Sequence, residues 1–475
     1  VAETHGLAYW FSVTGTLLKI IKRTAVLLGL VAISLIGFAQ WRASTNPELA
    51  IRREVDSLLD EASKITSAET NPTYKQIELS TLVEGYVEAQ EFDKAWRVAN
   101  DPAIGGFRSS AIQDIAIGFA KTGRQAEMSK ALAQLSGSAR MAAQSDIMLA
   151  LFDMGRIEAA EKFAANSSDT SLVHAFHAHK ATYLAKIGKL DDAQQELRKI
   201  GNPRSIAIAG GIIAEECRKQ RPYPAGNGVI QQMQEAVFSS PASYEKIMAL
   251  QVLIRTYMKA GNPLGAIDPL NEICKTVKEL PKQPRSQYCL IEAYAAMGDI
   301  KRALELADEE GSPNESAEGQ LRLVMELLKS DRTKEAAVVS KTIKNNSKRD
   351  LALCRVAIKH ARNGKYDKAR TFLSLLKDNT TRLSGQGVVA QVAATCNRPD
   401  RAWEFLTPSD DGGYDPYAIE AIFLQFGKQN DPNRARGYME FLNVDADKVT
   451  ALVNLAKGLL ESLEASKNAN PAQTR

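Results

Sequence analysis

Three histidines, His174, His177 and His179, stand close together. Imidazole is a common metal ligand, and a spacing of three places two rings on one helix face. No carboxylate or thiol lies nearby in sequence and His179 points elsewhere, so the cluster reads as an ordinary helix start. His360 falls in an aromatic column described below and reads as a core-edge residue. The five cysteines, Cys217, Cys274, Cys289, Cys354 and Cys396, include no Cys-x-x-Cys pair and are odd in number. They read as free thiols packed as small hydrophobes, with neither a zinc site nor a disulfide framework. Cys274 and Cys289 fall on consecutive helices and form the one pair flagged for a bridge. Gly385-Gln-Gly387-Val-Val-Ala390 matches a dinucleotide fingerprint in letters only, because that mechanism needs a preceding strand and here a helix and its loop precede it. Glu215-Glu216 and Glu309-Glu310 sit on helical stretches and read as solvated faces. No phosphate-binding loop, His-Glu-x-x-His or Gly-x-Ser-x-Gly occurs. No catalytic, cofactor-binding or metal-ligating residue is therefore assigned, and the chain reads as a non-enzyme.

The elements around these residues repeat. A turn residue followed five positions later by alanine recurs as Gly155/Ala160, Gly188/Ala193, Gly261/Ala266, Gly298/Ala303 and Gly364/Ala369. Variants are Gln90/Ala95, Asp331/Ala336, Asn397/Ala402 and Asn430/Ala435, and at Gly123 Met128 replaces the alanine. Successive turns lie 33, 32, 33, 73, 37, 33, 33, 33 and 33 residues apart. The interval of 73 hides one degenerate unit that turns through Pro222–Gly228, which makes eleven units. Eight and four residues before each turn run two apolar columns, such as Leu82/Tyr86, Ile115/Phe119 and Leu253/Tyr257. Their spacing of four puts both on one helix face, and Lys180 is the exception. The alanine lets a second helix approach closely. Pro102, Pro203, Pro241, Pro281, Pro284 and Pro313 punctuate the gaps between units. The pattern predicts an all-α solenoid of about eleven helix-turn-helix units, each too small to bury its apolar face without its neighbours.

Gly298-Asp-Ile-Lys-Arg-Ala303, Gly188-Lys-Leu-Asp-Asp-Ala193 and Gly364-Lys-Tyr-Asp-Lys-Ala369 resemble the turn of tetratricopeptide repeats, and the Leu and Tyr columns match that family's first helix. The resemblance covers residues 74 to 445. It implies a right-handed superhelix whose concave side, lined by the first helices, binds a peptide or partner protein. The family's early Trp is missing, the small residue beside the Leu column is kept only at Ala116, Ala181, Ala357 and Ala390, and the period is one short of 34. Counting onto inner positions of the first helices marks Gln113, Gln251, Arg255, Arg285, Glu292, Gln391 and Glu420 as partner-binding residues. The Lys-and-Asn clamp by which some members hold a terminal carboxylate is not found among them.

The rest of the chain divides around this array. Residues 24–41 carry no charge between Arg23 and Arg42. Eighteen residues at 1.5 Å rise span ~27 Å, enough for a transmembrane anchor. Lys19, Lys22 and Arg23 crowd its N-terminal side, so residues 1–23 are expected in the cytoplasm and the solenoid across the membrane, periplasmic or extracytoplasmic. The rival is a signal peptide cut after Ala39, giving a secreted protein. Residues 42–73 read as a helical stalk and linker, and 446–475 as a helix capping the open end of the stack, followed by a disordered tail. Sixty Lys and Arg against 56 Asp and Glu give a net charge of +4, no reason to expect nucleic acid. No cofactor or small-molecule substrate is expected. The expected function is a membrane-anchored scaffold for a protein or peptide. The alternatives are an exported enzyme on cell-envelope polymer and a self-associating architectural protein.

Overall fold

The computed structural model describes residues 47–165, 170–220, 225–280, 284–309, 312–409 and 413–469. These residues form twenty-four α-helices, two short 3-10 segments and no strand. Helix α1 spans Pro47–Ala68. Eleven helix pairs follow: α2 (Pro72–Glu88) with α3 (Phe92–Ala99), α4 (Arg108–Thr122) with α5 (Gln125–Ala133), α6 (Gly137–Asp153) with α7 (Ile157–Ala165), and α8 (Thr170–Lys186) with α9 (Leu190–Leu197). Next come α10 (Pro203–Gln220) with α11 (Ala225–Phe238), α12 (Tyr244–Lys259) with α13 (Ile267–Glu279), and α14 (Pro284–Met297) with α15 (Ile300–Asp308). The last pairs are α16 (Pro313–Lys329) with α17 (Thr333–Thr342), α18 (Asn346–Arg362) with α19 (Tyr366–Leu373), α20 (Asn379–Thr395) with α21 (Pro399–Trp403), and α22 (Pro416–Lys428) with α23 (Pro432–Met439). Helix α24 spans Asp445–Ala469.

Each turn expected from the repeat is a reversal built on one left-handed residue. Gln90, Gly123, Gly155, Gly188, Gly261, Gly298, Asp331, Gly364, Asn397 and Asn430 all have φ between +53° and +88°. Glycine, Asn and Asp tolerate this conformation best, and Gln90 is the one longer side chain among the ten that adopts it. After each turn the next N–H donates back to the carbonyl of the second apolar column, as in Arg156 to Leu151 and Asp299 to Tyr294, both within 2.9 Å. This closes the helix end as a Schellman motif. The nine alanines five residues on are fully buried, while Met128 keeps 7% exposure. Lys180 breaks its column but has company: its ammonium lies 3.3 Å from Glu196, a carboxylate 8% exposed. Glu196 also takes Lys199 at 2.9 Å and His177 at 2.7 Å.

Consecutive first helices, from α2 through α22, pack on one another, while the second helices make no comparable contact among themselves. The wall therefore curves with the first helices inside. The curvature closes. Helix α24 packs on α22 and then on α2, and α1 lies along α24 as a second helix lies along its first. Carried past Asn430, the 33-residue period puts Leu455 and Leu459 in the two apolar columns, and both are buried. A twelfth unit is thus assembled from the two ends of the chain. One apolar core runs from Val55 to Phe176 and continues across this seam to Leu353–Leu459. Arg436 reaches Glu54 and Glu61, both at 3.2 Å, and Lys467 reaches Glu48 at 2.6 Å.

This corrects two expectations. Of the stalk and linker expected over 42–73, the described part, 47–73, does not stand apart from the array: α1 runs to Ala68, leaving three residues before α2. The last helix does not cap an open end, because its apolar face is covered by α1 and α2 and the array is a ring rather than an open superhelix. The anchor over 24–41 and the segments 1–23 and 470–475 lie outside the described residues. Among the described residues no helix is long and apolar enough to cross a membrane.

The seam holds one costly group. Glu78 on α2 is 1% exposed, and neither carboxylate oxygen finds a hydrogen-bond partner. Burial pushes its pKa up to about 7, helped by Glu69 and by Asp445 at the head of α24 and opposed by Lys75. Its reference value is 4.5. Below that value both folded and unfolded chains hold the proton. As pH climbs from 4.5 to about 7 the unfolded chain releases it first, so stability falls, and above 7 the loss persists. Glu78→Gln removes this dependence. Thermal melts should show the variant more stable than the parent at pH 8 and nearly matched at pH 4. A parent-like pH profile in the variant would refute the assignment.

Candidate partner-binding wall

The structure gathers five of the seven sequence-marked residues into two groups on the inner wall. One arc spans α10, α12, α14 and α16. There the Gln251 amide donates to Glu292 Oε2 at 3.0 Å and to the Cys289 carbonyl at 3.2 Å. The Arg255 guanidinium donates to Glu326 Oε1 at 2.8 Å, bridging α12 to α16 past the intervening α14. Glu326 is fully buried and also takes Lys329 at 3.0 Å. Arg322 stands 3.6 Å from Glu292, 3.0 Å from Glu318 and over the Tyr288 ring at 5.8 Å. A buried carboxylate needs such partners, since an uncompensated charge in the interior costs several kcal/mol, about 3 to 5.

The second arc lies at the seam. Gln113 on α4 donates to Asp146 of α6 at 2.6 Å. Lys457 of α24 donates to Glu84 of α2 at 3.0 Å, and Lys121 to Glu88 at 2.7 Å. Burial pushes Asp114 up to about 7, reinforced by Glu84, Glu88 and Asp146 and opposed by Lys457. Burial likewise raises Glu420, against the pull of Lys457. Gln391 stands half-buried on α20, between the two groups. Arg285 lies in the first turn of α14, its side chain outside what the structure describes.

Several participants escaped the sequence reading. Glu326, Arg322 and Asp114 sit one position along the helix from the inner columns that were counted. Lys259 and Lys329 belong to a column two residues before the turn that also holds Lys121, Lys186, Arg362 and Lys428. That column puts cations on helix C-termini, where the backbone dipole favours them, and its repetition was a usable signal.

Two adjoining cavities lie beside the degenerate unit. A cavity of 330 Å³ opens between α10 and α12, floored by Ile212, Ala214, Ile230, Val252 and Ala260, with Ile208 at its edge. It shares Ile208, Val252, Arg255 and Lys329 with a neighbouring space of 720 Å³ that runs to Tyr244, Tyr288 and Arg322. Gly211 thins the α10 wall here: a Cβ at this position would lie 3.3 Å from Thr256 Oγ1. The three clustered histidines find partners within the fold. His174 accepts the Gly201 N–H at 3.2 Å, His177 is spent on Glu196, and His179 lies against Phe152. Among the described residues no cluster of His, Cys, Asp or Glu has the arrangement to hold a metal ion. None of the five cysteines is in a disulfide, Cys274 and Cys289 included. Gly385 and Gly387 lie within α20, away from any strand.

No family model and no curated protein matches the chain. Among solved structures it is similar to the pentatricopeptide repeat protein PPR10 from maize, at 14% identity over 90% of this chain and 70% of that one, with a TM-score of 0.28. It is also similar to Ton1535 from Thermococcus onnurineus NA1, at 14% identity over 72% and 98%, TM-score 0.21. A third likeness is to a circular tandem repeat protein with novel repeat topology, at 12% identity over 88% and 90%, TM-score 0.16. Superpositions this loose add nothing to the fold, which rests on the helix pairs and their closure.

Proposed function

We propose that this chain is a scaffold that holds a protein partner on the inner wall of its helical ring, tethered to a membrane through residues 24–41 with the ring on the exported side. The observation that carries the reading is the wall itself: consecutive first helices present polar side chains in register toward one enclosed face. Such a face offers many weak polar contacts and a few desolvated charges, the composition of a recognition surface. The marked residues Gln113, Gln251, Arg255, Arg285, Glu292, Gln391 and Glu420 are proposed as contributors, with Glu326, Arg322 and Lys457 positioning them. The turn and alanine columns support kinship with tetratricopeptide repeats. The tether and the export direction rest on the apolar run and its flanking charges.

Photo-crosslinking tests the reading in the full chain. A benzophenone side chain is placed at Gln391 on the inner wall or at Lys301, whose side chain is 90% exposed on a second helix. The inner site should yield a discrete protein adduct that the outer site does not. Equal adducts from both sites, or inner adducts removed by nuclease, would sink it.

A further inference from the structure

The cavity between α10 and α12 makes a poor seat for a polypeptide. Its floor is hydrocarbon, and its hydroxyl, Thr256, already donates to the Val252 carbonyl at 2.9 Å. The helix backbones around it are bonded within themselves. An extended peptide laid there would bury N–H and C=O groups with nothing to pair them. A hydrocarbon tail has no such groups to satisfy.

The charges sit at one end. First helices run parallel around the ring, so their C-termini share one edge of the wall. Arg218 is near the end of α10, Arg255 and Lys259 are in the last turns of α12, and Lys329 ends α16. These four cations face two carboxylates, Glu215 and Glu326. The Arg218 guanidinium donates to the Lys259 carbonyl at 2.9 Å, which holds the two cationic helix ends together. Toward the other end lie Ile208, 46% exposed, and Val252. A pocket with a hydrocarbon floor and an excess of positive charge at one mouth has the polarity of a molecule with an apolar tail and an anionic head.

We infer that the cavity between α10 and α12 is a binding site for a single-chain anionic amphiphile, its tail on Ile208, Ile212 and Val252 and its head between Arg218, Lys259 and Lys329. The site is independent of the protein-binding reading, since neither needs the other to be occupied.

The test uses the full chain and a fluorescent probe, dansylamino-undecanoate, displaced by dodecanoate, dodecanol or dodecyltrimethylammonium below their micelle concentrations. Saturable binding is expected, with dodecanoate displacing the probe about tenfold or more better than either of the others, a difference that corresponds to ~1.4 kcal/mol. Gly211→Leu, which fills the cavity, should abolish probe binding. Arg218→Glu with Lys259→Glu changes only exposed side chains and should weaken dodecanoate by about tenfold or more while leaving dodecanol displacement unchanged, which separates loss of the head contacts from loss of the cavity. If Gly211→Leu fails to fold, the charge-reversal pair decides. Equal displacement by all three heads, an undiminished affinity in the charge-reversed chain, or absence of saturable binding would overturn the site. So would displacement by an acidic peptide with no response to dodecanoate.

Discussion

Deleting residues 47–68 should open the ring while leaving the eleven internal units folded. Helix α1 buries Val55, Leu58, Leu59 and Ala62, each at most 2% exposed, in the core that joins the first units to the last. Full burial of one leucine stabilises by about 2 kcal/mol, so losing this face costs on the order of 5 kcal/mol at the seam. The loss is local, because each unit's core is completed by its neighbours rather than by a common centre. Hydrogen exchange is the direct readout: amides of α24 should lose protection, while those of α10 to α16 on the far side keep theirs. The acidic side chains of α1 should matter less, since the Glu48–Lys467 and Glu54–Arg436 pairs are solvated. A peptide of residues 47–68 added in trans should restore the protection. Unchanged exchange in α24 after the deletion would show that the chain ends do not close the ring.

Gly458→Val should be the most damaging single substitution in the last helix. Gly458 of α24 crosses Gly427 of α22 so closely that a Cβ would strike the Leu424 carbonyl oxygen and lie 2.9 Å from both Gly427 Cα and Lys428 N. All three are backbone atoms, so no side chain can swing aside. The helices would have to separate, which pulls α24 from the seam. Overpacking of this kind costs about 3 kcal/mol or more, against a helix-propensity gain of under ~1 kcal/mol. Gly437 on α23 is the control: a Cβ there meets nothing within 4 Å, so Gly437→Ala should be neutral or slightly stabilising. Urea unfolding midpoints separate the cases, and a Gly458→Val midpoint equal to that of Gly437→Ala would contradict the close crossing.

The reversals at Gly188, Gly298 and Asn397 were legible in the amino-acid order because their causes are local. A left-handed residue, the carbonyl it frees and the alanine that admits the next helix all lie within ten positions. Periodicity of the same range revealed the buried columns, and Lys180 was visible as an exception although its partner Glu196 was not. The inner-wall positions were read partly for the same reason: Gln251 and Glu292 follow from register, whereas the meeting of Arg255 with Glu326, seventy-one residues on, depends on how sharply three units bend.

Only the tertiary structure decided that the array closes. Each unit turns relative to its neighbour by a small rotation set by side-chain packing, and whether twelve such rotations sum to a full circle is encoded in no single repeat. The apolar stripe of α1 announces that it must be covered, but not that α24, some four hundred residues away, will cover it. The same holds for the α10–α12 cavity, which lies where an irregular unit with Gly211 in its wall meets its neighbour.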